Sequence, residues 1–521
     1  MKSAAAISLS HRRTSREGLG FRYWMERVLE EARLAEQGFE ADAVHDLRVA
    51  LRRCRSMADG FRAIDPDPAW KAMKRAGGRV FRSLGDLRDV QVVREWAQRM
   101  APPGDSLQPV LDRALEEREQ ALKRDAQASL GRLDHAEWRH WAQHLGTRAG
   151  RVQLENPVFQ YLALERWHEA YELHHCALRN RSKVAWHALR VGIKRFRYTA
   201  ENFLPARHER WGKDLKDLQD SLGELHDLDV LWEHIQAFAY EDREAEDREA
   251  VSRWRARIVE ERGLRIEAYR GKMVGPSSLW RVWRAELPQG DEQHRALLAR
   301  AQTLATFSGA SVLHARHVMR LALQIYEGLL QAGVVRAVDG DPRSALQLAA
   351  VLQDVGRFET KRGHHKRSYR MLERMAVPLE WSPESWEMVA ALARYHRGAL
   401  PAESHDGFGK IPAARRRRFL QLAAILRLAN ALDAGHSGAV KAIRVLRTAE
   451  TITLLAQGYV EDPALVPDVA IAKHLLETSC ALPVVLRGVE KGTGKQNLVV
   501  MRPAAARQPR GTIGKPRAAL S

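Results

Sequence analysis

Cysteine is almost missing from this chain: Cys54, Cys176 and Cys480 are the three in 521 residues, and no CxxC spacing occurs. That excludes a disulfide framework and a thiolate metal site, and it predicts a reducing compartment, the cytoplasm. Long apolar runs are missing too. No stretch approaches the ~18 consecutive residues of a membrane-crossing helix, so no membrane partner is expected. The first residues, MKSAAAISLSHRRTSREG, put a weakly apolar run ahead of basic residues, the reverse of a secretory signal. Aromatic residues are 7% of the chain, with no set spaced for stacking on bases and no RRM, KH, zinc-finger or helix-turn-helix signature. A nucleic-acid binder is therefore disfavoured. Acidic residues are in deficit, 65 against 84 Lys and Arg, leaving a net charge of +19. The partner should be a polyanion: nucleic acid, inorganic polyphosphate or an anionic surface.

What is present is helical periodicity and repetition. At 521 residues the chain exceeds one ordinary core, so two to four domains are expected. Residues 1–17 and 491–521 read as basic flexible tails. From about residue 18 to 285 the pattern is helical throughout, and the run EDREAEDREA at 241–250 reads as a solvated helix face with i,i+4 ion pairs. Residues 45–55, HDLRVALRRCR, are echoed by 187–198, HALRVGIKRFRY. On a helix His45, Arg48, Arg52 and Arg55 share one face, as do His187, Arg190, Lys194 and Arg197, while Leu47, Leu51, Cys54 and Ala58 trace the apolar side of the first copy. A second pair follows, SLGDLRDVQVV at 83–93 and SLGELHDLDVL at 221–231. Two copies of one helical unit, about 18–145 and 150–285, are predicted. Asp89 and Asp227, four residues after the Leu-Gly pair, are expected to be helix caps or ion-pair partners of the basic helix rather than ligand contacts, since a carboxylate beside a polyanion repels it.

The doubled H-x-x-R-V-x-x-[RK]-R-x-R helix with its downstream L-G-x-x-x-D element resembles the conserved-histidine α-helical (CHAD) domain. The resemblance implies two pseudo-symmetric antiparallel helical bundles and a basic groove that binds inorganic polyphosphate. Carried over by motif position, the implied ligand residues are His45, Arg48, Arg52, Arg53 and Arg55, then His187, Arg190, Lys194, Arg195 and Arg197. Physics agrees with the choice of residue, because the planar guanidinium binds phosphate oxygens bidentately. The two histidines have a second reading, as hydrogen-bonders that orient the adjacent arginines. If they touch phosphate, binding should strengthen as pH falls through ~6.5.

A linker at 286–292 (ELPQGDE) leads to a second helical region, 293–438, and a small α/β appendix, 439–490. Five stretches stand there in order: HARHVMRLALQIYEGLL at 314–330, AAVLQDVGR at 349–357, HHKRSYRML at 364–372, ARYHRGALP at 393–401 and LAAILRLANALDAGHSG at 422–438. The series resembles the C-terminal, HD-superfamily part of the exopolyphosphatase and guanosine pentaphosphate phosphatase family, without the actin-like phosphatase domain that precedes it there. An active HD site would need a His, a His-Asp pair and a later Asp around a metal. Here His314 and Asp354 stand in place, but Gln353 replaces the paired His and Asn430 the final Asp, so the domain reads as non-hydrolytic with no cofactor. Asp433 is a substitute candidate, which would make His314, Asp354 and Asp433 the metal set of a Mg²⁺- or Mn²⁺-dependent phosphohydrolase of polyphosphate or guanosine phosphates. His364, His365, Lys366, Arg367, Arg394, His396 and Arg397 are expected to form a second anion site, for polyphosphate or a guanosine phosphate nucleotide. Arg415 to Arg418 cannot share one helix face and should divide between surface and cleft. The sequence therefore predicts a polyphosphate-binding protein, mainly α, placed in the cytoplasm on polyphosphate granules or in phosphate regulation.

Overall fold

The computed structural model describes residues 20–102, 104–239, 245–336, 341–461, 463 and 466–489. Both tails and the first part of the 241–250 run lie outside these. Among the described residues the chain forms eighteen α-helices and one small sheet, mainly α as expected.

The first half alternates long amphipathic helices: α1 Phe21–Gly38, α2 Ala41–Phe61, α3 Ala69–Met100, α4 Leu107–Leu130 and α5 His135–Ala149, then α6 Pro157–Asn180, α7 Lys183–Phe203, α8 Pro205–Ala239, α9 Ala245–Met273 and α10 Leu279–Ala285. The periodicity does what it promises. Leu47, Leu51, Cys54 and Ala58 of α2 are all fully buried, each large apolar side chain contributing about 1.5–3 kcal/mol. Helix α7 is set by Ser182, whose Oγ accepts from the Ala185 amide at 3.2 Å. The two copies of the basic motif, α2 and α7, pack on each other, and so do α3 and α8, which carry the second motif pair. An aromatic cluster joins the copies: Phe61 stacks on Trp70 at 4.9 Å and meets Phe203 edge-on at 5.5 Å, while Phe203 stacks on Phe159 at 4.2 Å. Gly60 permits this approach, because a Cβ there would strike the Phe203 ring. Behind α3, buried Asp65 accepts two hydrogen bonds from Arg148, at 2.7 and 2.6 Å, and one from Trp70 Nε1 at 2.8 Å.

The second half holds α11 Asp291–Phe307, α12 Val312–Gln331, α13 Pro342–Leu352, a 3₁₀ turn at Val355–Phe358, α14 His364–Glu373, α15 Pro383–Tyr395, α16 Asp406–Gly409 and α17 Ala413–Ala431. The appendix follows as β1 Ala442–Arg447, β2 Ile452–Gln457, α18 Val466–Cys480 and β3 Val484–Val489. Strands run β1-β2-β3, with β1 antiparallel to β2 (Ala442 opposite Gln457) and β2 parallel to β3 (Ile452 opposite Val484). Alternate residues Ile452, Leu454 and Ala456 face inward. The halves meet where α6 packs on α11. There Arg300 pairs with Glu165 at 2.6 Å, and the Tyr161 hydroxyl accepts from the Leu379 amide at 3.1 Å. No helix among the described residues is long and apolar enough to cross a membrane.

Candidate polyanion-binding centre

The ten cationic and histidine residues of the two basic helices do not act as one file. Arg53 is clamped by Glu201 and by Asn202 Oδ1 at 2.9 Å, with its side chain 15% exposed. Arg197 shares the same Glu201 at 4.0 Å. Arg55, placed by helical spacing on the ligand face, instead donates to the Lys74 carbonyl at 2.9 Å and covers the Phe81 ring, tying α2 to α3. Arg195 is exposed and pairs with Glu169. The shared-face expectation therefore fails for Arg55, and Arg53, Arg195 and Arg197 are neutralised by carboxylates. For Arg53, Arg55 and Arg195 the cause is a partner brought in by another helix, and for Arg197 it is Glu201 one turn along its own.

Arg48, Arg52, Arg190 and Lys194 remain. Two from each copy, they are half-buried at the α2–α7 contact. Among the described residues none of the four has a carboxylate oxygen within 4.0 Å. The buried Nε atoms of Arg52 and Arg190 have no hydrogen-bond partner, as is also true of Arg53 and Arg197. Charge crowding leaves its mark on the lysine. Burial, reinforced by Arg190, Arg52 and Arg48, brings the Lys194 pKa down to about 8 against the pull of Asp89.

Asp89 and Asp227 sit in the middle of α3 and α8, so neither caps a helix, and neither makes an ion pair within 4.0 Å among the described residues. From farther away Asp89 faces Arg48, Arg190 and Lys194, and Asp227 faces Arg190. Burial raises the Asp89 pKa against Arg48, Arg190 and Lys194, and raises Asp227 to about 6 against Arg190. His45 and His187 are exposed. His187 Nδ1 lies 3.4 Å from Nδ1 of His226, and burial together with Arg190 takes His226 down to about 4. His226 was not singled out from the sequence, although it stands directly before Asp227 in the repeated motif.

In the second half, Ser311 caps α12 by accepting from the His314 amide at 3.3 Å and fixes that histidine's turn. His314 Nδ1 contacts Asp433 Oδ2 at 2.7 Å, its Nε2 contacts Asn430 Oδ1 at 3.2 Å, and its ring stacks on His436 at 3.9 Å. Gln353 Nε2 donates to the same Asn430 oxygen at 3.2 Å. The other Asp433 oxygen accepts from the Gly438 amide at 2.8 Å. These contacts do not fit a metal ion: the amides bond each other and both Asp433 oxygens are occupied, so the set His314, Asp354, Asp433 is not assembled as ligands.

The expected second anion site is likewise divided. His364 and His396 are buried against Asp354, Arg367 is paired with Glu359, Arg394 lies 5.3 Å from the centre of the Tyr395 ring, and Lys366 is exposed. His365 is half-buried, and burial with Arg394 lowers its pKa to about 4. Arg397 lines a cavity of about 140 Å³ together with Arg357, Arg427, His314, His396, His436 and Asp354. Arg357, Arg427 and His436 were missed from sequence. Arg427 carried a signal, a lone arginine in the run LAAILRLAN; it is buried and donates to the Gly398 and Tyr395 carbonyls. The four arginines divide too: Arg416 pairs with Glu403, Arg417 donates to the Ser479 carbonyl, and Arg415 and Arg418 line a larger cavity of about 540 Å³ beside Trp381.

A helical unit with a paired cationic centre, followed by an HD-like domain whose metal positions are closed by amides, is the class these observations define. In comparison with known families, residues 23–236 match the CHAD domain, and residues 299–468 match the Ppx/GppA phosphatase, domain III. The chain joins a CHAD domain to a Ppx/GppA domain III region. The crystal structure of the CHAD domain from the plant Ricinus communis is 22% identical, with 48% of this chain covering 88% of that one at a TM-score of 0.38. Comparison with curated proteins gives no match.

Proposed function

We propose that this chain binds inorganic polyphosphate at the α2–α7 contact and does not hydrolyse it through the HD positions. The pairing of a CHAD domain with a Ppx/GppA domain III region speaks for a polyphosphate-related role. The observation that carries the site is the convergence of Arg48, Arg52, Arg190 and Lys194 without an ion-pair partner among the described residues. A polyanion carrying a charge on every phosphate meets several of these donors at once, and each charge-assisted hydrogen bond is worth about 1.5–3 kcal/mol. The Arg-lined cavity beside Asn430 is a second, smaller anion site, for a chain end or a guanosine phosphate. In the cell the protein would sit on polyphosphate granules in the cytoplasm or serve phosphate regulation.

The test is equilibrium binding of long-chain polyphosphate by calorimetry. Micromolar or tighter affinity that survives moderate salt, falls with all four residues changed to Ala, and is displaced weakly by DNA supports the reading. Unchanged affinity in that variant rejects the site. Phosphate release with Mg²⁺ or Mn²⁺ that Asp354→Ala abolishes would replace it with the hydrolytic reading.

A further inference from the structure

The cavity of about 540 Å³ beside Trp381 shares no lining residue with the Arg-lined one, and its size is that of a small-molecule site, about 300–1,000 Å³. One wall, Asp291, Gln293, His294 and Leu297 of α11, stands between the stretches matched to the two families, so the cavity arises from how this chain joins them. The other walls come from the loop 379–382 and from α13, α15 and α17. That loop is pinned from the CHAD half, where the Tyr161 hydroxyl accepts from the Leu379 amide at 3.1 Å. Next to it Glu380 holds φ +66°, a left-handed conformation uncommon outside glycine and concentrated at ligand clamps. Trp381 follows, half-buried, its ring met edge-on by buried Trp386 at 6.4 Å between centroids.

Some polar groups on these walls are already occupied. Asp341 accepts from the Ser344 amide at 2.9 Å, Arg343 pairs with Glu327 at 3.0 Å, and His294 Nε2 meets Gln347 Oε1 at 2.8 Å. Others are not. Gln293 is 5% exposed, its buried Oε1 has no hydrogen-bond partner, and its Nε2 bonds to nothing among the described residues. An amide left unbonded in the interior is costly, and it offers a donor and an acceptor side by side. Arg415, exposed at the rim, makes no ion pair within 4.0 Å among the described residues, and neither do exposed Asp291 and Glu380. Leu297, Ala345 and Met388 supply apolar lining between them.

We infer that this cavity binds a purine nucleotide. The ring lies on Trp381, since every base has a face that stacks on an aromatic side chain. Its polar edge, a donor beside an acceptor, meets the Gln293 amide in the two-point pairing that glutamine makes with adenine. Ribose hydroxyls donate to Asp291 and Glu380, the task an acidic side chain performs in dinucleotide sites. The phosphate pairs with Arg415, whose planar fork accepts two of its oxygens. A polyphosphate chain would satisfy Arg415 alone and be repelled by the two carboxylates. The inference rests neither on polyphosphate at α2 and α7 nor on the Arg-lined cavity, and each can fail alone.

The test is calorimetric titration of AMP and GMP into the full chain, with adenosine and inorganic pyrophosphate as comparators. At least one of the two nucleotides should bind as one equivalent, more tightly than either comparator. Trp381→Ala should weaken it about 10-fold, the worth of one stacked base, and Gln293→Leu, of similar size but without the amide, by a similar factor. Arg415→Ala should weaken AMP about 10-fold and leave adenosine within about twofold, which assigns the phosphate end. Saturation-transfer NMR on the unmutated chain needs no variant: the purine ring protons should receive more transfer than the ribose protons. Absence of binding by both nucleotides, pyrophosphate binding as tightly as they do, or affinity unchanged in both Trp381→Ala and Arg415→Ala overturns the inference. Loss in Arg397→Ala instead would place the nucleotide in the Arg-lined cavity and overturn it as well.

Discussion

The two halves treat charge in opposite ways. In the CHAD half, four cations meet across a helix contact and are left without carboxylates, while their neighbours on the same helices are neutralised by Glu201 and Glu169. In the Ppx/GppA half, the positions that would carry metal charge hold Gln353 and Asn430, which bond each other, and Asn430 also meets His314. The first arrangement leaves four cations without carboxylate partners among the described residues; the second ties its two amides to each other.

That contrast breaks most directly on the quadruple variant of Arg48, Arg52, Arg190 and Lys194 to Ala. Polyphosphate affinity should fall on the order of 1000-fold, from about 1 kcal/mol or more per charged contact. Arg397→Ala, in the second half, should cost about threefold or less. Comparable losses in calorimetry would place the main tether in both halves and break the comparison.

Stability gives the next largest effect. Arg148→Ala leaves the Asp65 carboxylate, fully buried, without its charged partner, and should cost about 3–5 kcal/mol in urea denaturation. Lys183→Ala, removing an exposed pair with Glu233, should leave the urea midpoint essentially unchanged. Equal effects would mean that Asp65 is not held as described.

A smaller effect is set by pH. Lys194 titrates near 8 rather than at its ordinary 10.5, so raising pH from 7 to 9 removes a positive charge from the centre. Asp227, raised to about 6, gains its negative charge as pH climbs from 5 to 7. Both changes act in one direction, so affinity should fall steadily from pH 5 to 9, by about fivefold for each group at the ~1 kcal/mol of one partly buried charge. Asp227→Asn should flatten the acid limb and Lys194→Arg the alkaline one. Smallest of all, His45→Ala and His187→Ala should each weaken binding about twofold, because both are exposed at the edge of the centre.

Much of this was legible in the chain. Helical period and the small α/β end follow from neighbours a few positions apart, the two-copy register from the recurrence of one motif, and the amide replacements at 353 and 430 from the resemblance to the HD pattern. The division of the ten basic-helix residues was not. Arg53 finds Glu201 148 residues away, and Arg55 turns from its expected face because Gly78 leaves room for its guanidinium against α3. Likewise, Asp354, His364 and His396 stand in three separate motifs, and the sequence reading assigned the histidines to anion binding.

The sequence by itself determined the helices, their duplication and the excess of positive charge, all properties of local pattern and composition. The tertiary structure decided which cations stay unpaired and which histidines turn inward. Those outcomes depend on partners from distant elements, and an electrostatic interaction is set by the distance and burial of its two ends rather than by their separation along the chain.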